Sequence, residues 1–260
     1  MKFIGIIPSR YASTRFPGKP LFDMMGKPMI QRVYEQVQQT VDRLYVATDD
    51  VRIEAAIKAF GGNVIMTSIH HRCGTERCFE AFQQKGDGCD VVINIQGDEP
   101  FIQSEQIELL KNCFSAPDTQ IATLVKPFSA DCDVEKDLTN PNSPKVVINQ
   151  HREALYFSRS VIPYIRGIEP AKWAESHLFY KHIGLYAYRA DVLKEIVQLP
   201  QSPLEIAERL EQLRWLENGY KIKVAITQLE TMGIDTPEDM KQALNILAEK
   251  NYVNSSVSRT

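Results

Sequence analysis

Residues 5–21 read Gly-Ile-Ile-Pro-Ser-Arg-Tyr-Ala-Ser-Thr-Arg-Phe-Pro-Gly-Lys-Pro-Leu. The apolar run that leads into them, residues 3–7, predicts a short buried strand. Behind it, Arg10, Arg15 and Lys19 lie in a loop of small residues and prolines. Small residues let backbone N–H groups approach an anion, and the cations neutralise it. The stretch therefore favours a polyphosphate site at the end of a first strand over the alternative of a solvated surface loop.

The loop matches neither of the two common phosphate-binding motifs. Gly18-Lys19 is followed by Pro20, whereas a P-loop needs Ser or Thr there. The pattern Gly-x-Gly-x-x-Gly does not follow the first strand either. The sequence thus argues against a P-loop NTPase and against a dinucleotide-binding dehydrogenase.

The composition restricts the class of protein. Of the 260 residues, 43% are hydrophobic and 24% are charged, which is typical of a globular protein with a proper core. The net charge of −3 gives no support to nucleic-acid binding. The first residues do not resemble a signal peptide and no run is long enough to span a membrane, so we expect a cytoplasmic protein without membrane insertion. The five cysteines include no Cys-x-x-Cys pair and predict reduced thiols.

Strand and helix patterns alternate through the first half of the chain. Apolar runs predict strands at residues 44–47, 64–66 and 90–95, and helical spacing predicts helices that begin near Pro28, before Ile53, at Gly74 and after an N-cap at Ser104. This alternation predicts an α/β fold with a doubly wound, mainly parallel sheet. We expect a single domain over residues 1–260.

The middle of the chain departs from this alternation. Residues 129–143 are polar, and strands are predicted at residues 145–149, 154–157 and 180–189. Sequential strands joined by a short turn indicate an antiparallel element, and we expect residues 129–190 to contribute a dimerisation lobe.

Two helix starts follow. Ser202-Pro203-Leu204-Glu205 has the form of a capping box, and Thr236-Pro237-Glu238-Asp239 repeats it before the last helix. We predict one helix after Ser202, with its apolar residues buried and its carboxylates and amide at the edges; the buried set is Leu204, Ala207, Leu210 and Leu213, and the edge set is Glu205, Glu208, Glu211 and Gln212. Residues 221–227 predict a further strand.

Carboxylates follow two of the predicted strands, where open α/β sheets bind ligands. A buried strand runs directly into Gln96-Gly97-Asp98-Glu99-Pro100, and Asp235 precedes the last helix. Mg²⁺ binds one or two carboxylates together with substrate phosphates, and Asp98 with Asp235 would supply that pair. The alternative for each aspartate alone is an ordinary turn residue. His70, His71 and His182 have no metal-ligand spacing, and a lone histidine is more often a packing or hydrogen-bonding residue than a base.

Several segments together resemble the 3-deoxy-manno-octulosonate (Kdo) cytidylyltransferases, also called CMP-Kdo synthetases. The resemblance covers nearly the whole chain and is carried by residues 8–21, 73–77, 94–100, 154–159, 182–186, 202–205, 210–214 and 233–239. Two positions depart from the usual pattern, since Ser9 stands where Ala is common and Cys73 where Ser is common. The polar stretch 131–142 matches poorly, so no role is transferred to it.

The resemblance implies a fold like that of the nucleotide-diphospho-sugar transferases, in a homodimer. It implies Mg²⁺-dependent transfer of CMP from CTP to the anomeric oxygen of Kdo, with release of pyrophosphate, for lipopolysaccharide biosynthesis. Lys19, Arg10 and Asp98 would be catalytic. The nucleotide would be bound by Ser9, Arg10, Arg15, Lys19, Gly74 and Arg77. The sugar would be bound by Gln96, Arg159, His182, Tyr186, Glu211 and Gln212, and the metal by Asp98 and Asp235.

Two alternatives remain open at this point. One is a cytidylyltransferase for another acid, such as a sialic acid, or for a sugar phosphate. The other is a nucleotide-binding regulatory or assembly protein without turnover, which would bind nucleotide but release no pyrophosphate.

Overall fold

A computed structural model describes residues 1–12 and 16–257. Arg15, one of the cations predicted to bind the triphosphate, lies outside the described residues. The strands are β1 (Phe3–Ser9), β2 (Arg43–Thr48), β3 (Val64–Met66), β4 (Val91–Asn94), β5 (Ile121–Pro127), β6 (Lys145–Ile148), β7 (Ala154–Ser158), β8 (Tyr180–Arg189) and β9 (Ile222–Ile226). The helices are α1 (Met29–Val37), α2 (Val51–Ala59), α3 (Gly74–Lys85), α4 (Ser104–Cys113), α5 (Trp173–Ser176), α6 (Ala190–Ile196), α7 (Pro203–Glu208), α8 (Gln212–Glu217) and α9 (Pro237–Val257).

The chain divides into two compact units. The first unit comprises residues 4–88, 94–104 and 231–260, and the second comprises residues 1–3, 89–93 and 105–230. None of the described helices is long and apolar enough to cross a membrane. All five cysteines are free thiols, as predicted.

Parallel strands form the centre of the first unit. β1 pairs with β2, and β2 pairs with β3, all in parallel, with α1 and α2 as the crossover helices. α9 packs on this unit through Met240 and Ala243, which lie in one buried cluster with Met24, Met29 and Ile234. That cluster fixes the segment before α9, which carries Asp235.

The second unit contains the antiparallel strands. Its strands lie in the order β4-β8-β5-β9, with β5 antiparallel to β8 and parallel to β9. β6 and β7 form an antiparallel hairpin, and β6 also pairs with β8. The α/β class, with mostly parallel strands and an antiparallel element, is confirmed.

The prediction of one helix after Ser202 is wrong in two respects. The helix ends at Glu208 because Arg209 adopts a left-handed conformation with φ of 51°. α7 and α8 are therefore separate helices. The buried face also differs, because Leu204 is exposed whereas Glu205 and Gln212 are buried. Glu205 is buried because Arg214 donates two hydrogen bonds to it, at 2.8 and 2.6 Å. The capping box itself is present, as predicted.

Two further elements differ from the prediction. β5 was not predicted, although it lies between β8 and β9, because a short apolar run does not by itself distinguish a strand from a buried helix segment. Ser104 is the first residue of α4 and not its N-cap. The predicted bounds of β3, α3 and β8 agree with the structure.

Candidate active site

Two neighbouring cavities lie at the carboxyl end of β1, within the first unit. The larger, of about 250 Å³, is lined by six of the predicted site residues: Ser9, Arg10, Lys19, Gln96, Asp98 and Asp235. The smaller, of about 140 Å³, shares Ser9, Arg10 and Gln96 with it and is also lined by Gly74 and Arg77. The structure therefore brings together the residues that were predicted for the nucleotide and the metal, with Arg15 outside the described part.

Lys19 is the centre of a small cluster of charges. Its Nζ lies 2.8 Å from Asp98 Oδ2 and 3.4 Å from Asp235 Oδ1, and it also donates to the carbonyl of Ile234 at 2.5 Å. The Lys19 side chain is 11% exposed, whereas those of Asp98 and Asp235 are 32% and 46% exposed. One ammonium group thus holds together two carboxylates that are 137 positions apart in the sequence (98 and 235).

Backbone geometry explains how these side chains converge. The N–H of Ile234 donates to the carbonyl of Asp98 at 2.9 Å, which ties the two acidic segments together. Gly97 lies so close to β1 that a Cβ atom there would be 3.2 Å from the carbonyl oxygen of Pro8. The close approach therefore favours glycine where the turn after β4 passes the end of β1.

The segment that carries Asp235 is held by a capping box. The hydroxyl of Thr236 accepts a hydrogen bond from the N–H of Asp239, and the carboxylate of Asp239 accepts from the N–H groups of Thr236 and Asp235. Hydrogen bonds from these N–H groups lower the pKa of Asp239, although burial acts in the opposite direction and is the largest single effect. This confirms the capping prediction and fixes the backbone at Asp235.

The loop of cations is closed at its base. Gly18 adopts φ of 74°, and its N–H donates to the carbonyl of Tyr11 at 3.0 Å. A Cβ atom at Gly18 would lie 3.0 Å from the hydroxyl oxygen of Tyr11, so both the conformation and the space favour glycine. The closure sets Lys19 at the start of a short 3-10 turn that points it into the unit.

Arg10 and Arg77 differ in their surroundings. Arg10 is exposed and lines both cavities. Arg77 is buried, and its guanidinium donates to Thr67 Oγ1 at 2.6 Å and to Asp49 Oδ2 at 2.9 Å. Arg77 therefore helps to shape the smaller cavity, whereas Arg10 presents a cation to both.

Ser9 carries a buried hydroxyl that faces both cavities. Its Oγ has no hydrogen-bond partner among the described residues, and the residue is only 5% exposed. A buried hydroxyl without a partner costs free energy, about 1 to 3 kcal/mol, unless a ligand or water satisfies it. Gly74, which lines the smaller cavity, is the first residue of α3, so the N-terminal end of a twelve-residue helix also lies at this cavity.

The predicted sugar residues other than Gln96 lie in the second unit. The rings of His182 and Tyr186 are 5.2 Å apart on β8, and Tyr186 is 5.2 Å from the ring of Trp215. An irregularity in the pairing of β5 with β8 follows Thr123, whose hydroxyl lies 3.0 Å from His182 Nε2. Such irregularities often occur beside functional sites, where they redirect side chains.

Burial controls the charge of these side chains. His182 is half-buried as a whole residue, but its ring is enclosed, which lowers the pKa of His182 to about 3. Burial, and secondarily the charge of Glu211, raises the pKa of Tyr186 well above its usual value. Both groups are therefore neutral near pH 7, as hydrogen-bonding residues and not as acid or base.

Gln212 and Arg159 complete the set. Gln212 is 4% exposed and its Nε2 has no hydrogen-bond partner among the described residues. Arg159 follows β7, and its guanidinium donates to main-chain carbonyls of residues 141, 208 and 209. Arg159 is held by hydrogen bonds, Gln212 is held by burial, and both retain N–H donors for a ligand.

Two charged residues of this region, Lys145 and Glu208, were not predicted to belong to a site. Lys145 is fully buried at the start of β6, and Glu208 holds both Ser158 and Arg159. The only sequence signal for Lys145 is a lysine at the head of an apolar strand, and Glu208 was placed at the edge of a helix.

The donor chemistry around Lys19 is suited to a hard cation. Two carboxylates and a carbonyl already converge on one ammonium group, and oxygen donors of this kind are those that Mg²⁺ prefers. Among residues 1–12 and 16–257, no group of three or more His, Cys, Asp or Glu side chains could hold a metal by itself. The chemistry of these oxygen atoms therefore fits Mg²⁺, which would need further ligands from outside the described residues.

Comparison with known proteins identifies the family of this chain. A cytidylyltransferase family matches residues 4–222. A 3-deoxy-manno-octulosonate cytidylyltransferase of Parabacteroides distasonis is 71% identical over 96% of this chain and 100% of its own length. Another, of Porphyromonas gingivalis, is 59% identical over 94% of this chain and 96% of its own length.

Solved structures extend the comparison. A CMP:2-keto-3-deoxy-manno-octonic acid synthetase complexed with CTP is 43% identical, with a TM-score of 0.87 over 96% of this chain and 100% of that one. A 4-diphosphocytidyl-2C-methyl-D-erythritol synthase of Anaerococcus prevotii, at 15% identity and a TM-score of 0.60, shares the fold. The chain belongs to the 3-deoxy-manno-octulosonate cytidylyltransferase family of nucleotidyltransferases.

Proposed function

We propose that this protein transfers CMP from CTP to Kdo and releases pyrophosphate, in the cytoplasm, for lipopolysaccharide biosynthesis. The observation that carries the proposal is the cavity at the end of β1, where two carboxylates, an ammonium and an exposed guanidinium face one space. The relatives named for this reaction match the chain over nearly its whole length.

In the reaction, the anomeric oxygen of Kdo forms a bond to the α-phosphorus of CTP. The bond from that phosphorus to the oxygen that bridges to the β-phosphorus breaks, pyrophosphate leaves, and the proton of the sugar hydroxyl passes to solvent or to a nearby base. Such transfers depend on positioning the substrates and on neutralising charge. Asp98 and Asp235 would hold Mg²⁺, which would supply charge neutralisation and would lower the pKa of the attacking hydroxyl.

The first unit supplies the groups that bind the triphosphate. Arg10 and Lys19, with Arg15 of the undescribed segment, neutralise its charge, and Lys19 stabilises the α-phosphate as negative charge develops. The ion pairs of Lys19 with Asp98 and Asp235 hold its ammonium in place before substrate arrives. The hydroxyl of Ser9, the guanidinium of Arg10 and the N-terminal end of α3 at Gly74 face the smaller cavity and are proposed to contact the nucleotide there.

The sugar acid requires a cation and neutral hydrogen-bonding groups. Arg159 is the cation proposed for its carboxylate. His182, Tyr186, Glu211 and Gln212 are proposed for its hydroxyls, because the first two stay neutral near pH 7 and Gln212 carries a buried amide without a described partner.

The protein is further proposed to act as a homodimer through residues 129–190. Four large apolar side chains of this lobe are exposed, which is unusual for a surface that stays in water: Leu155, Tyr164, Ile168 and Leu178. Light scattering coupled to size-exclusion chromatography should give a mass of about twice 29.6 kDa. A monomeric mass at micromolar concentration would remove the dimer from the proposal.

Pyrophosphate release tests the proposed reaction. Purified protein is incubated with CTP and Mg²⁺, and with Kdo, a sialic acid or neither sugar. Release that needs both CTP and Kdo supports the proposal. Release with a sialic acid alone would overturn the choice of sugar, and CTP binding without release in any mixture would favour a regulatory nucleotide-binding protein.

A further inference from the structure

The guanidinium of Arg159 is oriented by three main-chain carbonyls. Its Nε donates to the carbonyl of Glu208 at 2.7 Å, one Nη donates to Pro141 at 2.7 Å, and the other donates to Arg209 at 3.4 Å. A guanidinium has five N–H donors in a rigid plane, so these contacts use three and leave two. Arg159 is thus presented in a fixed orientation with donors to spare.

The carboxylate of Glu208 also helps to hold Arg159 in place. Its Oε1 accepts from the hydroxyl of Ser158 at 2.6 Å, and its Oε2 accepts from the backbone N–H of Arg159 at 2.9 Å. The carbonyl and the carboxylate of one residue therefore hold the side chain and the main chain of Arg159 together. This is possible because α7 ends at Glu208, where the left-handed Arg209 turns the chain.

Lys145 is a second cation close to Glu208 and Arg159. The residue is fully buried, and its Nζ donates to the carbonyl of Asn140 at 3.0 Å. Burial lowers the pKa of Lys145 to about 8, while the charge of Glu208 raises it and that of Arg159 lowers it. Lys145, Glu208 and Arg159 thus form a cation–anion–cation set with a net charge of +1 when the lysine is protonated. Such a set attracts an anion, and Lys145 is fully buried, so the guanidinium of Arg159 is the cation of the set that can meet a ligand.

From this geometry we infer that Glu208 is a positioning residue that orients Arg159 to bind the carboxylate of the sugar acid, and so contributes to the choice of an acidic sugar. The inference rests on the proposed function, because it gives Arg159 the carboxylate as its ligand. Two parallel N–H···O contacts from one guanidinium suit a carboxylate and reject a neutral amide. Loosening Arg159 should therefore weaken sugar binding and reduce the preference for the acid.

The test compares Glu208→Gln and Ser158→Ala with wild type and with Glu217→Gln. Glu217 is a matched control, since its carboxylate accepts from the backbone N–H of Leu204 on α7 and its side chain makes no described hydrogen bond to Arg159. Pyrophosphate release gives kcat and the two KM values, and inhibition constants compare Kdo carboxamide with Kdo binding. Circular dichroism and the unfolding midpoint establish that each variant is folded.

For Glu208→Gln, the KM for Kdo should rise about tenfold or more while the KM for CTP stays within twofold, and the preference for the acid over the carboxamide should fall by a similar factor. Ser158→Ala removes one contact of Glu208 and should shift the same quantities about threefold, which provides the readout if Glu208→Gln does not fold. Glu217→Gln should shift neither. Unchanged constants, or equal rises in both KM values, in the folded variants would overturn the inference while the proposed function stands. Absence of release by the wild type with Kdo would instead overturn the proposed function, and the inference with it.

Discussion

Replacing Glu205 by glutamine should destabilise the protein strongly without changing the size of the side chain. Glu205 and Arg214 are 7% and 5% exposed at their side chains, and the carboxylate accepts two hydrogen bonds from the guanidinium. A glutamine at this position would keep one acceptor, and Arg214 would keep its hydrogen bond to the carbonyl of Leu199, but the nearest described carboxylate would then be that of Glu211, at 3.9 Å. Removing one partner of a buried ion pair costs about 3 to 5 kcal/mol in the free energy of unfolding.

For a chain of this length, a loss of that size lowers the unfolding midpoint by on the order of 10 °C. Calorimetry or circular dichroism at pH 7 measures it. The control is Glu54→Gln, which breaks an exposed ion pair with Lys58 on α2 and should cost about 0.5 kcal/mol or less. The double replacement Glu205→Leu with Arg214→Met should recover much of the loss, since an apolar pair of similar volume has no charge to desolvate.

A loss below about 1 kcal/mol for Glu205→Gln, or a loss equal to that of Glu54→Gln, would refute this reasoning. It would mean that water reaches the Arg214 guanidinium, and that the ion pair does not fix α7 against α8.

Three further predictions concern the charged and titratable groups of the site. Asp98→Asn should lower pyrophosphate release by about 100-fold or more, while Lys19 keeps its contacts with Ile234 and Asp235 and the fold persists; retention of a third of the activity would remove Asp98 from the mechanism. Lys19→Met should make Mn²⁺ bind several-fold more tightly in the absence of nucleotide, measured by electron paramagnetic resonance, because the two carboxylates lose their cation; an unchanged or lower affinity would contradict this. The pKa of His182 is about 3 in the folded protein and near 6.5 when unfolded, so the unfolded state binds the proton first and stability falls as the pH drops from about 6.5 towards 3. His182→Gln should make the free energy of unfolding, measured by urea titration at several pH values, fall less steeply with decreasing pH. Equal slopes for the variant and the wild type would count against burial of the ring.

The sequence predicted the parts of the fold that depend on local patterns. Buried runs, glycine-rich turns and capping boxes are local, so β3, α3, β8 and both capping segments were identified correctly. The acidic turn at Asp98 was identified for the same reason, because a buried strand ends there.

The errors concern contacts between distant residues. Glu205 was expected at the edge of one helix, but Arg214, nine positions later, draws it inside across the break at Arg209. Lys19 meets Asp98 and Asp235, which are 79 and 216 positions away, and the sequence gives the residue types but not this pairing. Glu208 likewise meets Ser158 and Arg159 only after the chain has folded.

The central claim is that the chain joins CMP to Kdo. Its most direct test is mass spectrometry of the products formed by the purified protein from limiting CTP, Kdo and Mg²⁺, with pyrophosphate measured in the same samples. The account predicts CMP-Kdo and pyrophosphate in equal amounts, and neither product when CTP or Kdo is omitted. Pyrophosphate with free CMP and no sugar nucleotide, or no product at all from folded protein, would contradict it.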